Sequence, residues 1–315
     1  MANFGFLLFT FFVSLLVLIA ECRQFRYDYK FNPDTQSWVK LHQVPATWED
    51  ARLRCFYEGG TLASPQSNKL LSTMKMMLKG THAELTGIYT GVHAKFSKGD
   101  FYSIDGKPID RMPVQWMPYE PDNEQNDEDC IVMHSNGTIA DVNCLEVFPY
   151  ICSRKGRAEV LTECGTVDKE YHLDARTGSC YKFHNIARNF TRAFMACAAE
   201  GGYLAIINSE TEAQILKELF EKNQPDTLRF TSHSGIAFVG FHDWGERFVW
   251  TTIHGQSIEE AGYNKFSGGQ PDGAQPGEYC GGIFRNGLLD DAWCHERMAF
   301  ICEKSVDSLL DDIIE

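Results

Sequence analysis

The most constraining feature of this sequence is an internal repeat of cysteines. Three cysteines spaced by 14 and then 8 residues occur twice, at an offset of 150 residues. The two sets are Cys130, Cys144, Cys152 and Cys280, Cys294, Cys302. Upstream the copies align at an offset of 142, where Gly59–Ala63 corresponds to Gly201–Ala205. This agreement indicates a tandem duplication, so the 315 residues are expected to form two similar domains.

The repeat also predicts the domain boundaries. The joint lies near Ser153 to Glu163, a short polar stretch, and the second copy is eight residues longer between its helices and its loops. We therefore predict a signal peptide at 1–22, a short-form first domain at 23–155 and a linker at 156–163. A long-form second domain at 164–304 and a short acidic tail at 305–315 complete the chain.

The amino terminus has the character of a secretory signal. Phe4 to Ala20 is a 17-residue run without charge, shorter than the roughly 20 residues of a typical membrane span. Cleavage is expected before Arg23 or directly after Ala20. No second apolar stretch approaches that length, so we expect an extracellular mature chain without a membrane span.

Cysteine parity agrees with cleavage before Arg23. Removing Cys22 from the 11 cysteines leaves an even number, whereas cleavage after Ala20 would leave a spare thiol able to join two chains. Asn136 and Asn189 begin Asn-x-Thr sequences and are predicted glycosylation sites. Together these features predict that the cysteines are in disulfide bonds.

Composition excludes several classes of protein. With 43 acidic and 29 basic residues the net charge is −14, so the chain lacks the clustered cations that nucleic acid binding requires. A hydrophobic content of 43% excludes a disordered chain. The acidic balance is compatible with a divalent cation, or with solubility alone.

Local patterns predict elements common to the copies. Apolar spacing predicts helices over Thr47–Glu58 and Thr191–Glu200, each followed by two glycines. A further helix is expected from Ser209, where Glu212 completes a capping box, with Ile215, Leu216, Leu219 and Phe220 on one face. Phe238–Phe241 and Phe248–Trp250 are predicted to be buried strands.

Each copy carries a loop rich in oxygen ligands. Calcium takes about 6–8 oxygen ligands, and the second copy offers five such side chains: Gln270, Asp272, Glu278, Asp290 and Asp291. The first copy offers four, namely Glu120, Asp122, Glu128 and Asp141. It has Ala140 where the second copy has Asp290. We therefore predict a calcium site in the second copy. For the first copy, weak or absent calcium binding and a working calcium site are two alternative predictions.

These motifs and cysteine intervals resemble the C-type lectin domain, present twice. A tandem pair behind a signal peptide is similar to the insect immulectins, secreted haemolymph lectins of innate immunity. The resemblance implies an α+β fold in which each domain has two helices, small antiparallel sheets and a long calcium- and sugar-binding loop. It also implies five disulfides: Cys55–Cys152, Cys130–Cys144, Cys164–Cys180, Cys197–Cys302 and Cys280–Cys294.

The resemblance further implies calcium-dependent sugar binding. In this family Gln-Pro-Asp accompanies galactose-type sugars, so Gln270, Asp272, Glu278 and Asp290 are the expected sugar-binding residues. The family pattern has a cis peptide bond before the motif's proline. Microbial glycans such as lipopolysaccharide are the implied ligands, and immune-cascade proteins are implied partners. No hydrolase or phosphate-binding motif is present, so we do not expect an enzyme.

The sequence also departs from the family pattern. Gly273 to Gly277 contains no aromatic residue to stack on a sugar, so Trp293 or Tyr279 either fills that role or packs in the core. Asp290 adds a negative charge where an amide is usual. Glu120-Pro121-Asp122 mixes two specificity motifs, and Asp127 and Asp129 bind an accessory ion or nothing. The alternative function is a calcium-independent protein-interaction module of the same fold.

Overall fold

The structure is a computed structural model that describes residues 25–80, 87–156, 160–274 and 277–310. The predicted signal peptide with Cys22, part of the predicted linker and the last residues of the tail lie outside the described residues. Within the described residues the two copies form two α+β domains, each around its own sheet. The expected fold class is therefore confirmed, while the exact domain boundaries remain predictions.

The first domain places two helices beside one twisted sheet. Its helices are α1 (Trp48–Tyr57) and α2 (Asn68–Lys79). Its strands are β1 (Lys30–Asn32), β2 (Ser37–Ala46), β3 (Thr61–Leu62), β4 (Ile88–His93), β5 (Tyr102–Ser103), β6 (Gln115–Trp116), β7 (Cys130–Met133), β8 (Thr138–Val142) and β9 (Phe148–Lys155). The strand order is β1-β2-β9-β4-β7-β8-β6, with β3 beside β9 and β5 beside β4.

The second domain repeats this plan. Its helices are α3 (Phe190–Ala199), α4 (Glu210–Lys222) and the short α5 (Ile258–Ala261). Its strands are β10 (His172–Leu173), β11 (Cys180–Arg188), β12 (Tyr203–Leu204), β13 (Ile236–His242), β14 (Thr251–Thr252), β15 (Glu278–Phe284), β16 (Leu289–Trp293) and β17 (Met298–Lys304). The strand order is β10-β11-β17-β13-β15-β16.

The predicted helices are confirmed, and capping explains where they begin. The side chains of Thr47 and Asn189, at corresponding positions, accept hydrogen bonds from the third residue beyond each. Ser209 caps α4 in the same way. The carboxylate of Glu212, however, accepts from the N–H of Asn208, one residue before the cap, and from the hydroxyl of Tyr181. A neighbouring N–H and a tertiary contact therefore replace the reciprocal half of the predicted capping box.

One predicted strand is wrong. Phe238–Phe241 lies within buried β13, but Phe248–Trp250 is a turn that precedes β14. Phe248 has a φ of +66°, and the N–H of Val249 donates to the Glu246 carbonyl, which closes a turn instead of a ladder. Only Trp250 of the three is buried, so the apolar run reflects exposed aromatic and aliphatic side chains.

Disulfide bonds connect the elements of each domain. The five pairs are Cys55–Cys152, Cys130–Cys144, Cys164–Cys180, Cys197–Cys302 and Cys280–Cys294. They are the same pairs that the resemblance implies. The first links α1 to β9, its counterpart links α3 to β17, and Cys164–Cys180 holds the segment before β10 against β11.

The domains contact each other beside α1 and α3. Arg26 donates to the carbonyl of Ala199 at 2.7 Å, and Arg192 pairs with Asp50 at 3.2 Å. The start of the tail lies across this contact, since the carbonyl of buried Leu309 accepts from the N–H of Tyr27 at 3.1 Å. None of the helices within the described ranges has the length and apolar character that a membrane span requires.

Candidate functional site

The candidate residues of the second domain meet between one loop and two paired strands. The loop runs from Ser267 towards β15 and carries Gln270 and Asp272 on either side of Pro271, and the Gln270–Pro271 peptide bond is cis. Glu278 begins β15, while Asp290 and Asp291 lie on the neighbouring β16. The strand pairing therefore brings Glu278 close to Asp291, and the loop adds Gln270 and Asp272 to the same place.

Asp291 holds the loop through its backbone. Its two carboxylate oxygens accept from the N–H groups of Asp272 at 3.1 Å and Gly273 at 2.8 Å. One oxygen from each of Asp272, Glu278 and Asp291 lies within 4.8 Å of the others. The side-chain oxygen of Gln270 accepts from the Asp272 N–H at 3.0 Å, which places it beside this group.

Asp290 is buried near this cluster, close enough for the charges of its carboxylates to act on it. It is 3% exposed, and its Oδ1 atom is buried without a hydrogen-bond partner among the described residues. Burial, followed by the charges of Asp291, Glu278 and Asp272, raises the pKa of Asp290 to about 7. A buried carboxylate oxygen without a donor, facing other carboxylates, fits a bound cation, since calcium would supply the missing positive charge.

The first domain repeats the connections of the loop. Asp141 accepts from the N–H groups of Asp122 at 3.3 Å and Asn123 at 3.1 Å, and the Glu120–Pro121 bond is cis. One oxygen from each of Glu120, Asp122 and Asp141 lies within 4.8 Å of the others. Glu128 accepts from the Glu124 N–H at 2.7 Å. The structure therefore groups the same positions in both domains.

The chemistry of the first cluster differs from that of the second. Ala140 stands at the position of Asp290 and contributes no side-chain oxygen. Partial burial, then a hydrogen bond to Asp141 and the nearby negative charges, raises the pKa of Glu120 to about 7. Partial burial is also the main cause that raises the pKa of Glu128 to about 7. The first cluster therefore has one ligand fewer and two carboxyl groups that take up protons near neutral pH.

Asp127 and Asp129, considered for an accessory ion, both have protein partners. Asn143 donates to Asp127 at 2.6 Å, and the ammonium of Lys98 lies 3.0 Å from Asp129. Three further groups of His, Glu and Cys side chains each include a cysteine in a disulfide bond, whose sulfur is not available as a thiolate ligand.

The two predicted glycosylation sites differ in their surroundings. Asn136 is exposed in the turn between β7 and β8, and its side-chain oxygen accepts from Thr138. Asn189 is half-buried, and its oxygen caps α3. Of the two, only Asn136 lies on an open turn.

The aromatic residues considered for sugar stacking have other neighbours. The ring of Trp293 stacks on His233 with centres 5.1 Å apart, and Trp293 packs against the core. Tyr279 lies beneath the guanidinium of Arg247. Sequence reasoning missed a different aromatic group, since Trp244 and Phe248 lie in the turn mistaken for a strand and are 65% and 50% exposed. Aromatic residues on both sides of Gly245-Glu246-Arg247 were the available signal.

Comparison with known proteins agrees with this arrangement. The lectin C-type domain matches residues 44–154 and 186–304, together more than half of the chain. The hemolymph lipopolysaccharide-binding protein of Periplaneta americana is 35% identical over 146 residues, which are 45% of this chain and 55% of that protein. C-type lectin domain-containing protein 161 of Caenorhabditis elegans is 24% identical over 228 residues, 67% of this chain and 25% of that protein.

This chain thus spans about half of the cockroach protein and a quarter of the nematode protein. Among solved structures, the carbohydrate-recognition domain of the human scavenger receptor C-type lectin is 25% identical, with a TM-score of 0.36, over 44% of this chain and 99% of that one. The two family matches coincide with the two domains, and the chain belongs to the C-type lectin domain family.

Proposed function

We propose that this protein is a secreted, calcium-dependent lectin that recognises microbial surface glycans such as lipopolysaccharide in innate immunity. The observation that carries this proposal is the carboxylate cluster of the second domain, together with the buried Asp290 oxygen that has no hydrogen-bond partner among the described residues. The similarity to a lipopolysaccharide-binding protein of cockroach haemolymph supports both the ligand class and the extracellular location. Domains of this family are binding modules rather than enzymes.

In this proposal Gln270, Asp272, Glu278, Asp290 and Asp291 hold one calcium ion. Calcium, when bound, offers its remaining coordination positions to a pair of vicinal sugar hydroxyls. Asp291 keeps the loop in place through the N–H groups of Asp272 and Gly273. Hydrogen bonds from those hydroxyls are then accepted by the carboxylates of Asp272, Glu278 and Asp290, while the amide of Gln270 donates or accepts.

The motif favours a galactose-type sugar. Gln270 contributes an amide and Asp272 a carboxylate, the arrangement that accompanies an axial 4-hydroxyl in this family. Asp290 differs from the usual amide because a carboxylate can only accept hydrogen bonds. We therefore expect tight calcium binding together with a narrower set of contacts to the sugar.

The first domain supports a second candidate function. Ala140 removes an oxygen ligand from its cluster, which favours a calcium-independent protein-interaction surface in that domain. If both domains bind glycans instead, their linkage raises the effective concentration of the second site and strengthens binding to a dense surface.

The test is a glycan-binding assay with matched variants. The secreted chain is applied to galactose, mannose and lipopolysaccharide surfaces in calcium and then in chelator, alongside Asp291→Ala and its first-domain counterpart Asp141→Ala. We expect galactose-biased binding that chelator abolishes, that Asp291→Ala removes and that Asp141→Ala largely retains. Binding that persists in chelator would contradict the proposal and favour the interaction module.

A further inference from the structure

The turn that follows β13 presents an unusual exposed surface. Trp244, Phe248 and Val249 are 65%, 50% and 52% exposed. Both aromatic residues have positive φ angles, +51° and +66°, a conformation that bulky residues rarely adopt. Large apolar side chains held outward in this way point to a contact with something beyond the described chain.

Arg247 joins this turn to the candidate calcium loop. Its guanidinium donates to the carbonyl of Gly273 at 2.8 Å, next to the proposed ligand Asp272. It also lies 4.9 Å from the centre of the Phe248 ring and 5.5 Å from that of Tyr279. A side chain at position 273 would collide with this guanidinium, so the glycine permits the close approach. The aromatic turn and the loop are therefore adjacent surfaces.

The first domain provides an internal comparison. His93 pairs with Cys130 and His242 with Cys280 at corresponding points of their sheets. Lys98 and Arg247 lie five residues after these histidines. Each contacts the residue that precedes the paired cysteine, Asp129 in the first domain and Tyr279 in the second. The basic contact is thus common to both domains.

The aromatic pair differs between the domains. Lys95 and Gly99 occupy the positions of Trp244 and Phe248 in the first domain. That turn has one exposed aromatic residue, Phe96, whose ring lies edge-on to His93. The pair therefore belongs to the domain with the fuller ligand set, whose loop residues from Gly273 to Gly277 include no aromatic side chain.

We propose that Trp244 and Phe248 form a second subsite, which stacks against the apolar face of the unit attached to the sugar that the calcium loop binds. This inference rests on the proposed lectin function and extends it. The ligand is a glycoside whose next sugar or aglycone has an apolar C–H or aromatic face, because C–H groups pack on the negative face of an aromatic ring and a second aromatic ring stacks on it offset or edge-on. Arg247 is a positioning residue that keeps the subsite beside Gly273.

The test compares glycosides that differ only in the attached group. Affinities for methyl and phenyl galactoside, and for the corresponding mannosides, are measured by titration in calcium for the wild type, Trp244→Ala and Phe248→Ala. We expect the phenyl group to strengthen wild-type binding by about fivefold to tenfold and the variants to lose most of that gain. Phe96→Ala, in the matching turn of the first domain, is expected to keep the wild-type ratio of phenyl glycoside affinity to methyl glycoside affinity.

The outcomes separate the two proposals. Calcium-dependent binding of the methyl glycoside with the same phenyl-to-methyl ratio in all variants would overturn the subsite alone. No calcium-dependent binding of any glycoside by the wild type would overturn both proposals. Equal loss of methyl and phenyl glycoside binding in Trp244→Ala, with unchanged thermal unfolding, would also contradict a separate subsite.

Discussion

Asp290 lies directly opposite Gly282 across the paired strands β15 and β16. At the corresponding place in the first domain, Ala140 lies opposite Val132. A Cβ at Gly282 would lie 2.8 Å from Ile236 and 3.5 Å from the Cβ of Asp290, so the glycine is required by Ile236 and leaves the face beside Asp290 open. In the first domain the larger Val132 accompanies an alanine. The difference between the two sites therefore involves two positions on neighbouring strands.

This pairing leads to a prediction of gained calcium affinity. The double variant Ala140→Asp, Val132→Gly should strengthen calcium binding by the first domain roughly tenfold, because a further carboxylate joins its cluster. Calorimetric titration in an Asp291→Ala background isolates this domain. Val132→Gly alone is the control for lost packing, and an affinity equal to that control would contradict the prediction.

A second prediction concerns pH. Folding raises the pKa of Asp290 from its ordinary value of 3.8 to about 7. The calcium-free domain therefore loses stability as pH rises between these values, because deprotonation is less favourable in the folded state. Calcium requires the deprotonated form, so the thermal shift that calcium produces should be larger at pH 8 than at pH 5.5.

Asp290→Asn tests the origin of this effect. The amide has nearly the same shape but does not titrate. The calcium-induced thermal shifts at pH 5.5 and at pH 8 should therefore differ less in the variant than in the wild type. Differential scanning calorimetry with calcium and with chelator gives both thermal shifts. An unchanged pH dependence would assign the effect to another group.

A third prediction concerns a buried polar cluster outside the candidate site. Glu200, 4% exposed, accepts from Tyr171, Lys182 and His184 at 2.9, 2.7 and 2.9 Å. Burial alone would raise the pKa of Glu200, but the charges and hydrogen bonds of His184 and Lys182 more than offset it, so the pKa is lowered. The ionised Glu200 carboxylate therefore stabilises the folded state. This stabilisation is fully present above the ordinary pKa of 4.5 and is lost as pH falls through the lower pKa of the folded state.

Glu200→Gln should lower the free energy of unfolding by about 2 kcal/mol at neutral pH, because it weakens the charged hydrogen bonds that Glu200 makes with buried Lys182 and His184. Lys182 keeps Asp168, at 2.6 Å, as an anionic partner. Urea unfolding at pH 7 and at pH 3.5 measures this loss, which should be smaller at the lower pH. Glu221→Gln, on the exposed surface of α4, is the matched control. A loss that does not depend on pH would indicate a packing effect rather than an electrostatic one.

A fourth prediction concerns the start of the tail. Leu309 is 3% exposed and packs on Gly201, while its carbonyl accepts from Tyr27 of the first domain. Leu309→Ala should lower the free energy of unfolding by about 2–3 kcal/mol, since it removes a buried side chain at the domain contact. Val306→Ala, at a partly exposed position, should change it by less than about 1 kcal/mol. Equal effects of the two substitutions, measured by urea unfolding, would contradict a specific role for Leu309.

Much of the fold could be predicted from local patterns. Cysteine intervals identified the duplication, and the threonine and serine before apolar helical segments marked where helices begin. The acidic residues of the two candidate sites lie at the same distances in the sequence from a proline and from the repeated cysteines. These features depend on residues that are close together in the sequence, which is why periodicity and motif spacing report them.

The sequence by itself determined the two-domain organisation, the helix starts and the set of candidate ligands. Only the tertiary structure decided that Phe248 lies in an exposed turn, that Arg247 reaches Gly273, and that Asp290 is buried opposite a glycine. The physical reason is that these contacts join residues from separate strands and loops. Their energies depend on how the sheet pairs and what it buries, and no local pattern contains that information.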